Sequence, residues 1–119
     1  MPNLNSLYRA YSDKRKKKPT LKQLYLAYNK KYFKNRLSVN AAVNWSHKLR
    51  KTDYIGRTLE APCCPPVIQI SSELRKWPSI ACMTLLHEMA HINCPGLHGK
   101  KWQKRMHRLA SKGAFDLLW

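Results

Sequence analysis

The sequence predicts a small α+β domain, and three observations carry that reading. Leu21, Leu24, Tyr25, Tyr28 and Tyr32 recur at three- and four-residue steps, the spacing of one helix face. Val67-Ile68-Gln69-Ile70-Ser71 is short, β-branched and preceded by prolines, which fits a strand. The apolar stretch from Ile80 to Ile92 is too long for a typical strand and reads as a buried helix. At 119 residues the chain can bury roughly two-thirds of the surface its unfolded form exposes, enough for a core without disulfides.

The elements follow in order. Residues 1–19 contain Lys14-Arg15-Lys16-Lys17-Lys18, closed by Pro19; five like charges repel one another, so this segment is expected to be a flexible basic arm, with the folded domain spanning 20–119. Thr20 is placed to cap a helix running to about Phe33, and Asn35 suits its stop. Ser38 to Ser46 alternates, with Val39, Ala41, Val43 and Trp45 on one side of a strand. A weaker strand signal covers Tyr54 to Leu59, and Val67 to Ser71 makes the third strand. Ser71 or Ser72 can cap a brief helix through Trp77. Pro78-Ser79 opens the apolar helix, and Pro95-Gly96 breaks it and turns the chain back. A last helix starts near Gly99, with Trp102, Met106 and Leu109 as its inner stripe and Lys100, Lys101, Lys104, Arg105, Arg108 and Lys112 on the other faces.

Composition bounds the partners. Lys and Arg number 23 against 6 Asp and Glu, a formal net charge of +17 that favours polyanions, nucleic acid first. No apolar run approaches the roughly 20 residues of a membrane span, and the start lacks a signal-peptide apolar core, so an intracellular, cytoplasmic or nucleoid-associated monomer is expected. The four cysteines, at 63, 64, 82 and 94, have no C-x-x-C spacing, which argues against a zinc ribbon or a redox pair. Cys82 is expected in the core and Cys63-Cys64 in a stiff loop between prolines. Of the tryptophans, Trp119 is the one left free to stack on bases.

Chemistry concentrates at His87-Glu88-Met89-Ala90-His91, followed by His98. Positions i and i+4 of a helix share a face, so His87 and His91 can reach one ion at about 2.0–2.1 Å, with His98 folding back as third ligand. Three neutral imidazoles with an open position are the donor set of a catalytic Zn2+ site. Glu88 lies a quarter-turn round and suits a general base rather than a ligand; a carboxylate in so apolar a helix also calls for a compensating cation. Cys94 is a competing soft ligand, with a plain loop thiol as the alternative. His47 and His107 read as surface histidines, and the oxyanion stabiliser stays open between Tyr54 and His107.

Thr84-Leu85-Leu86-His87-Glu88-Met89-Ala90-His91 with His98-Gly99-Lys100-Lys101-Trp102 resembles the SprT-like zinc metalloprotease family. Tyr28-Asn29, Tyr32-Phe33, Leu37, Val43-Asn44-Trp45-Ser46 and Ile68-Gln69-Ile70-Ser71 are similar to its first helix and strands, so the resemblance spans about residues 20 to 112. It implies a minimal zincin fold with a small sheet beside the active-site helix, one catalytic zinc, and proteolysis of proteins bound or crosslinked to DNA. Many members append a cysteine-paired zinc ribbon that these residues do not contain. Sequence-independent DNA contact is therefore expected from Lys14, Arg15, Lys16, Lys17 and Lys18 and from Lys100, Lys101, Lys104, Arg105 and Arg108. The alternatives are a non-catalytic nucleic-acid-binding module with structural zinc, and an RNA hydrolase; Glu88 favours peptide hydrolysis.

Overall fold

The N-cap expected at Thr20 is formed, and it is part of a capping box. The Thr20 hydroxyl accepts from the Gln23 N–H at 3.1 Å, and the Gln23 side chain accepts from the Thr20 N–H at 2.8 Å, fixing the start of a helix. A computed structural model of the chain describes residues 4–13, 15, 17–94 and 98–116. In chain order these residues form α1 (Leu4–Ser12), α2 (Leu21–Tyr32), β1 (Ala42–Ser46), β2 (Gly56–Ala61), β3 (Cys64–Ser71), α3 (Pro78–His91) and α4 (Lys100–Ser111). Short 3-10 turns follow β1, at Lys48–Lys51, and β3, at Ser72–Lys76.

Helix α1 corrects the expectation of a basic arm over residues 1–19. Leu4, Leu7 and Tyr11 lie one and two turns apart and are buried at 5–6% exposure, and the Tyr8 and Tyr28 hydroxyls are hydrogen-bonded. Burying such side chains stabilises by about 1.5–3 kcal/mol each, and the cationic run begins only after this stripe has ended. Arg15, Lys17 and Lys18 are exposed and outside helix or strand, while Lys14 and Lys16 lie outside the described residues, as do Pro95, Gly96 and Trp119. Leu7→Ala is therefore expected to lower unfolding stability by about 2–5 kcal/mol in urea titrations, an effect that a disordered arm would not give.

Helix α2 ends where Lys34 and Asn35 turn left-handed, at φ 52° and 58°. The fully buried Asn29 then pairs twice with Leu37, donating to its carbonyl at 2.9 Å and accepting from its N–H at 3.1 Å. That pairing ties the return segment to the core. β1 starts four residues later than the alternation suggested, because Val39 stays 58% exposed, and β2 is displaced to Gly56–Ala61.

The sheet order is β1-β3-β2, with β1 parallel and β2 antiparallel to the central β3. β3 starts early, at Cys64, and pairs directly with β2 through a tight turn at Pro62-Cys63, so Cys63-Cys64 belongs to a hairpin tip rather than a loop. Ile68 and Ile70 point into the core, where α3 covers them with Leu85, Leu86 and Met89, all at 0% exposure. α2 packs against both β1 and α3, α1 lies on α2, and α4 lies against α3. Helix α3 is thus buried on nearly every side, as its continuous apolar run required.

Candidate metal centre and its neighbouring carboxylate

Helix α3 carries His87, Glu88 and His91 in its last two turns. Its end is held by three sets of contacts. Asn93 turns left-handed (φ 60°), and its N–H donates to both Glu60 oxygens, at 3.1 and 3.2 Å, from β2. The buried Cys94 thiol donates to the Ala90 carbonyl at 3.2 Å and is not part of the metal-ligand cluster of histidines. From α4, Arg105 reaches back to the carbonyls of Ala90 and Ile92, a guanidinium set against the negative end of the helix.

The three imidazoles converge. His91 Nε2 lies 3.2 Å and His98 Nε2 3.3 Å from His87 Nε2, and the three form the one His/Cys/Asp/Glu cluster with metal-ligand spacing among the described residues. Ligand atoms at 2.0–2.1 Å from a tetrahedral ion stand about 3.3 Å apart, which both separations from His87 match, and all three ligand atoms lie within 4.8 Å of one another. Trp102 forms the wall beside them. Its ring is stacked on His91 at 18° and meets His87 and His98 edge-on, while its indole N–H donates to the His87 carbonyl at 3.3 Å. Read from sequence, Trp102 is an inner-stripe residue of α4; in the structure it also orients all three histidines.

Burial, reinforced by the neighbouring imidazoles, pushes the His87 pKa down to about 4, and burial lowers that of His91. Both rings are therefore neutral near pH 7, the form that binds a cation. Between the ordinary histidine value near 6.5 and about 4, the unfolded chain holds a proton at His87 that the metal-free fold does not. Stability of chelator-treated protein is accordingly expected to fall as pH drops through that window. The decline should be shallower in His87→Asn when melting temperatures are compared from pH 7 to 4.

Glu88 is 6% exposed and lies against β2. Its Oε1 accepts from the Thr58 hydroxyl at 2.8 Å, while Oε2 lies 3.9 Å from His87 Nε2, on the side of the imidazoles. Burial raises its pKa and the Thr58 bond opposes the rise. Gly56, two residues before Thr58 and on the same face of β2, permits this approach: a Cβ there would come within 2.8 Å of Thr84 Cγ2 and 3.3 Å of Glu88 Cγ and Oε2. Neither contact has a local signal in the sequence, since 30 residues separate Thr58 from Glu88. Tyr54 lines the cleft beside Glu88, whereas His107 sits on the exposed face of α4 and His47 is paired with Ser72 at 3.1 Å.

Three convergent histidines with a buried carboxylate beside them lie within a stretch that matches a known family: the SprT-like family model matches residues 21–116. The chain belongs to the SprT-like family. The match begins at the first residue of α2, so α1 lies outside the SprT-like region. No curated protein matches the chain in sequence comparison. The SprT-like core thus comprises the sheet, α2, α3 and α4, and the His87, His91 and His98 group within it can hold a metal ion.

Lys100, Lys101, Lys104 and Arg108 are exposed on α4, whereas Arg105 is engaged by the end of α3 and Lys18 donates to the Tyr11 carbonyl. Trp45 lies beneath the Arg75 guanidinium, and Trp77 is 57% exposed rather than core. No helix among the described residues is long and apolar enough to cross a membrane.

Proposed function

We propose that this SprT-like chain is a zinc-dependent endopeptidase that acts on proteins bound or crosslinked to DNA. The observation that carries the reading is the pairing of three convergent imidazole nitrogens with a buried carboxylate whose Oε2 lies 3.9 Å from His87 Nε2. Zinc, when bound, supplies Lewis-acid polarisation of the scissile carbonyl and lowers the pKa of its water. The chain's own part is proton handling. Thr58 holds Oε1 of Glu88, which leaves Oε2 facing the histidines to take a proton from water and later deliver it to the leaving amine. A carboxylate whose pKa is raised by burial is the better base for that exchange near neutral pH.

The DNA part rests on charge. Besides the exposed lysines of α4, Lys34, Arg36, Arg105, Arg108 and Lys112 ring a cleft of about 420 Å³ between the end of α2 and the C-terminal half of α4, with no acidic residue in its lining. Such a patch suits phosphates without reading sequence. The test is cleavage of a basic DNA-binding protein by purified chain, with and without DNA, before and after chelation and zinc restoration. Cleavage that is lost on chelation, returns with zinc and rises with DNA is expected. In parallel, replacing Arg36, Arg108 and Lys112 with serine should flatten the plot of log affinity for duplex DNA against log salt by up to about 2.7. An unchanged slope would move the contact elsewhere on the chain.

A further inference from the structure

Beside the histidines opens a second cleft of about 420 Å³ whose lining contains no lysine or arginine, in a chain that has 23 of them. Its walls are Tyr54 and Ile55 from the segment before β2, Ile80 and Met83 from α3, and Met106 and Phe115 from α4 and beyond. His87 and Glu88 line it too. On α3 the residues involved, 80, 83, 84, 87 and 88, recur at helical steps and form one continuous face, apolar at its start and chemical at its end. Ile80 and Met83 precede His87 by about 10 and 6 Å along the helix axis, so whatever lies on this face spans both halves.

Tyr54, Ile55 and Ile80 are 70%, 52% and 45% exposed. Apolar side chains gathered around a concave site of this size, with a few polar groups at one end, have the composition of a ligand pocket. Phosphates are poor occupants, since the charged lining residues are Asp53 and Glu88. We infer that this cleft is the specificity pocket of the enzyme and takes one large apolar side chain, such as Leu, Met, Phe or Tyr, from a substrate residue flanking the scissile bond. This inference rests on the peptidase reading. It narrows the substrate class from any exposed peptide to segments carrying such a residue beside the cut.

The test separates pocket from catalysis by reading both binding and cleavage in the zinc-loaded full chain. Matched extended peptides differing only in Phe, Leu or Ala at successive positions are titrated by fluorescence anisotropy, and cut sites in an unfolded protein are mapped by mass spectrometry. Phe or Leu at one position is expected to tighten binding at least about tenfold over Ala and to dominate one side of the cut sites. In Ile80→Asp the Phe-to-Ala ratio should fall towards one, and Ile80→Leu should restore it. Equal affinities for all three peptides, cut sites flanked by Lys or Arg, or a ratio unmoved by Ile80→Asp would overturn the pocket. Preferential binding without cleavage would uphold the pocket and defeat the peptidase reading alone.

Discussion

Glu88→Gln should reduce peptide-bond cleavage by about 10²–10⁴-fold while zinc content and melting temperature stay close to wild type. The amide matches the carboxylate in shape, and its oxygen can still accept from the Thr58 hydroxyl that now holds Oε1 at 2.8 Å. What it lacks is a lone pair basic enough to take a proton. Because Glu88 is 6% exposed, replacing the charge by a neutral amide also relieves desolvation, so no loss of stability is expected. Turnover, metal content by mass spectrometry and thermal melting, measured on one preparation, separate a missing base from a missing fold. Wild-type rates in a metal-replete Glu88→Gln sample would remove Glu88 from the chemistry.

The second large effect falls on His91. Its Nε2 is 3.2 Å from that of His87, and its ring is stacked on Trp102, so alanine removes a metal donor and leaves the indole without its partner. The loss of zinc affinity should exceed the roughly 10–100-fold that removal of an outer hydrogen-bond partner costs. Binding to the fold alone stabilises by about 2.7 kcal/mol when free ligand stands at 100 times Kd. Added zinc should therefore raise the melting temperature of wild type and leave that of His91→Ala where it was. Equal shifts in the two proteins would place the ion elsewhere.

The parts legible in the sequence are those with local causes. Thr20 and Gln23 lie three residues apart and cap α2 as their chemistry requires; Pro78 opens α3; His87 and His91 share a face because a helix turn separates them. The third histidine was legible through its place after a helix-breaking pair, and the structure brings it to 3.3 Å. Helix α1 was also written locally, in Leu4, Leu7, Tyr8 and Tyr11, but the adjacent block of like charges carries the opposite signal, and only packing against α2 decides between them. Contacts that depend on tertiary placement left no trace in spacing. Thr58 and Gly56 meet Glu88 across the gap between sheet and helix, Arg105 meets the end of α3, and Trp102 is both stripe and wall. Each is set by the packing of two elements, which no single window of sequence contains.

The most direct test of the convergence of three imidazoles on one ion is X-ray absorption at the zinc edge of the purified, zinc-loaded chain. Three nitrogen scatterers with one further light atom, at about 2.0–2.1 Å, and one zinc per chain are the expected result. A sulfur shell near 2.3 Å, or a spectrum unchanged when His87, His91 and His98 are all replaced by alanine, would contradict it.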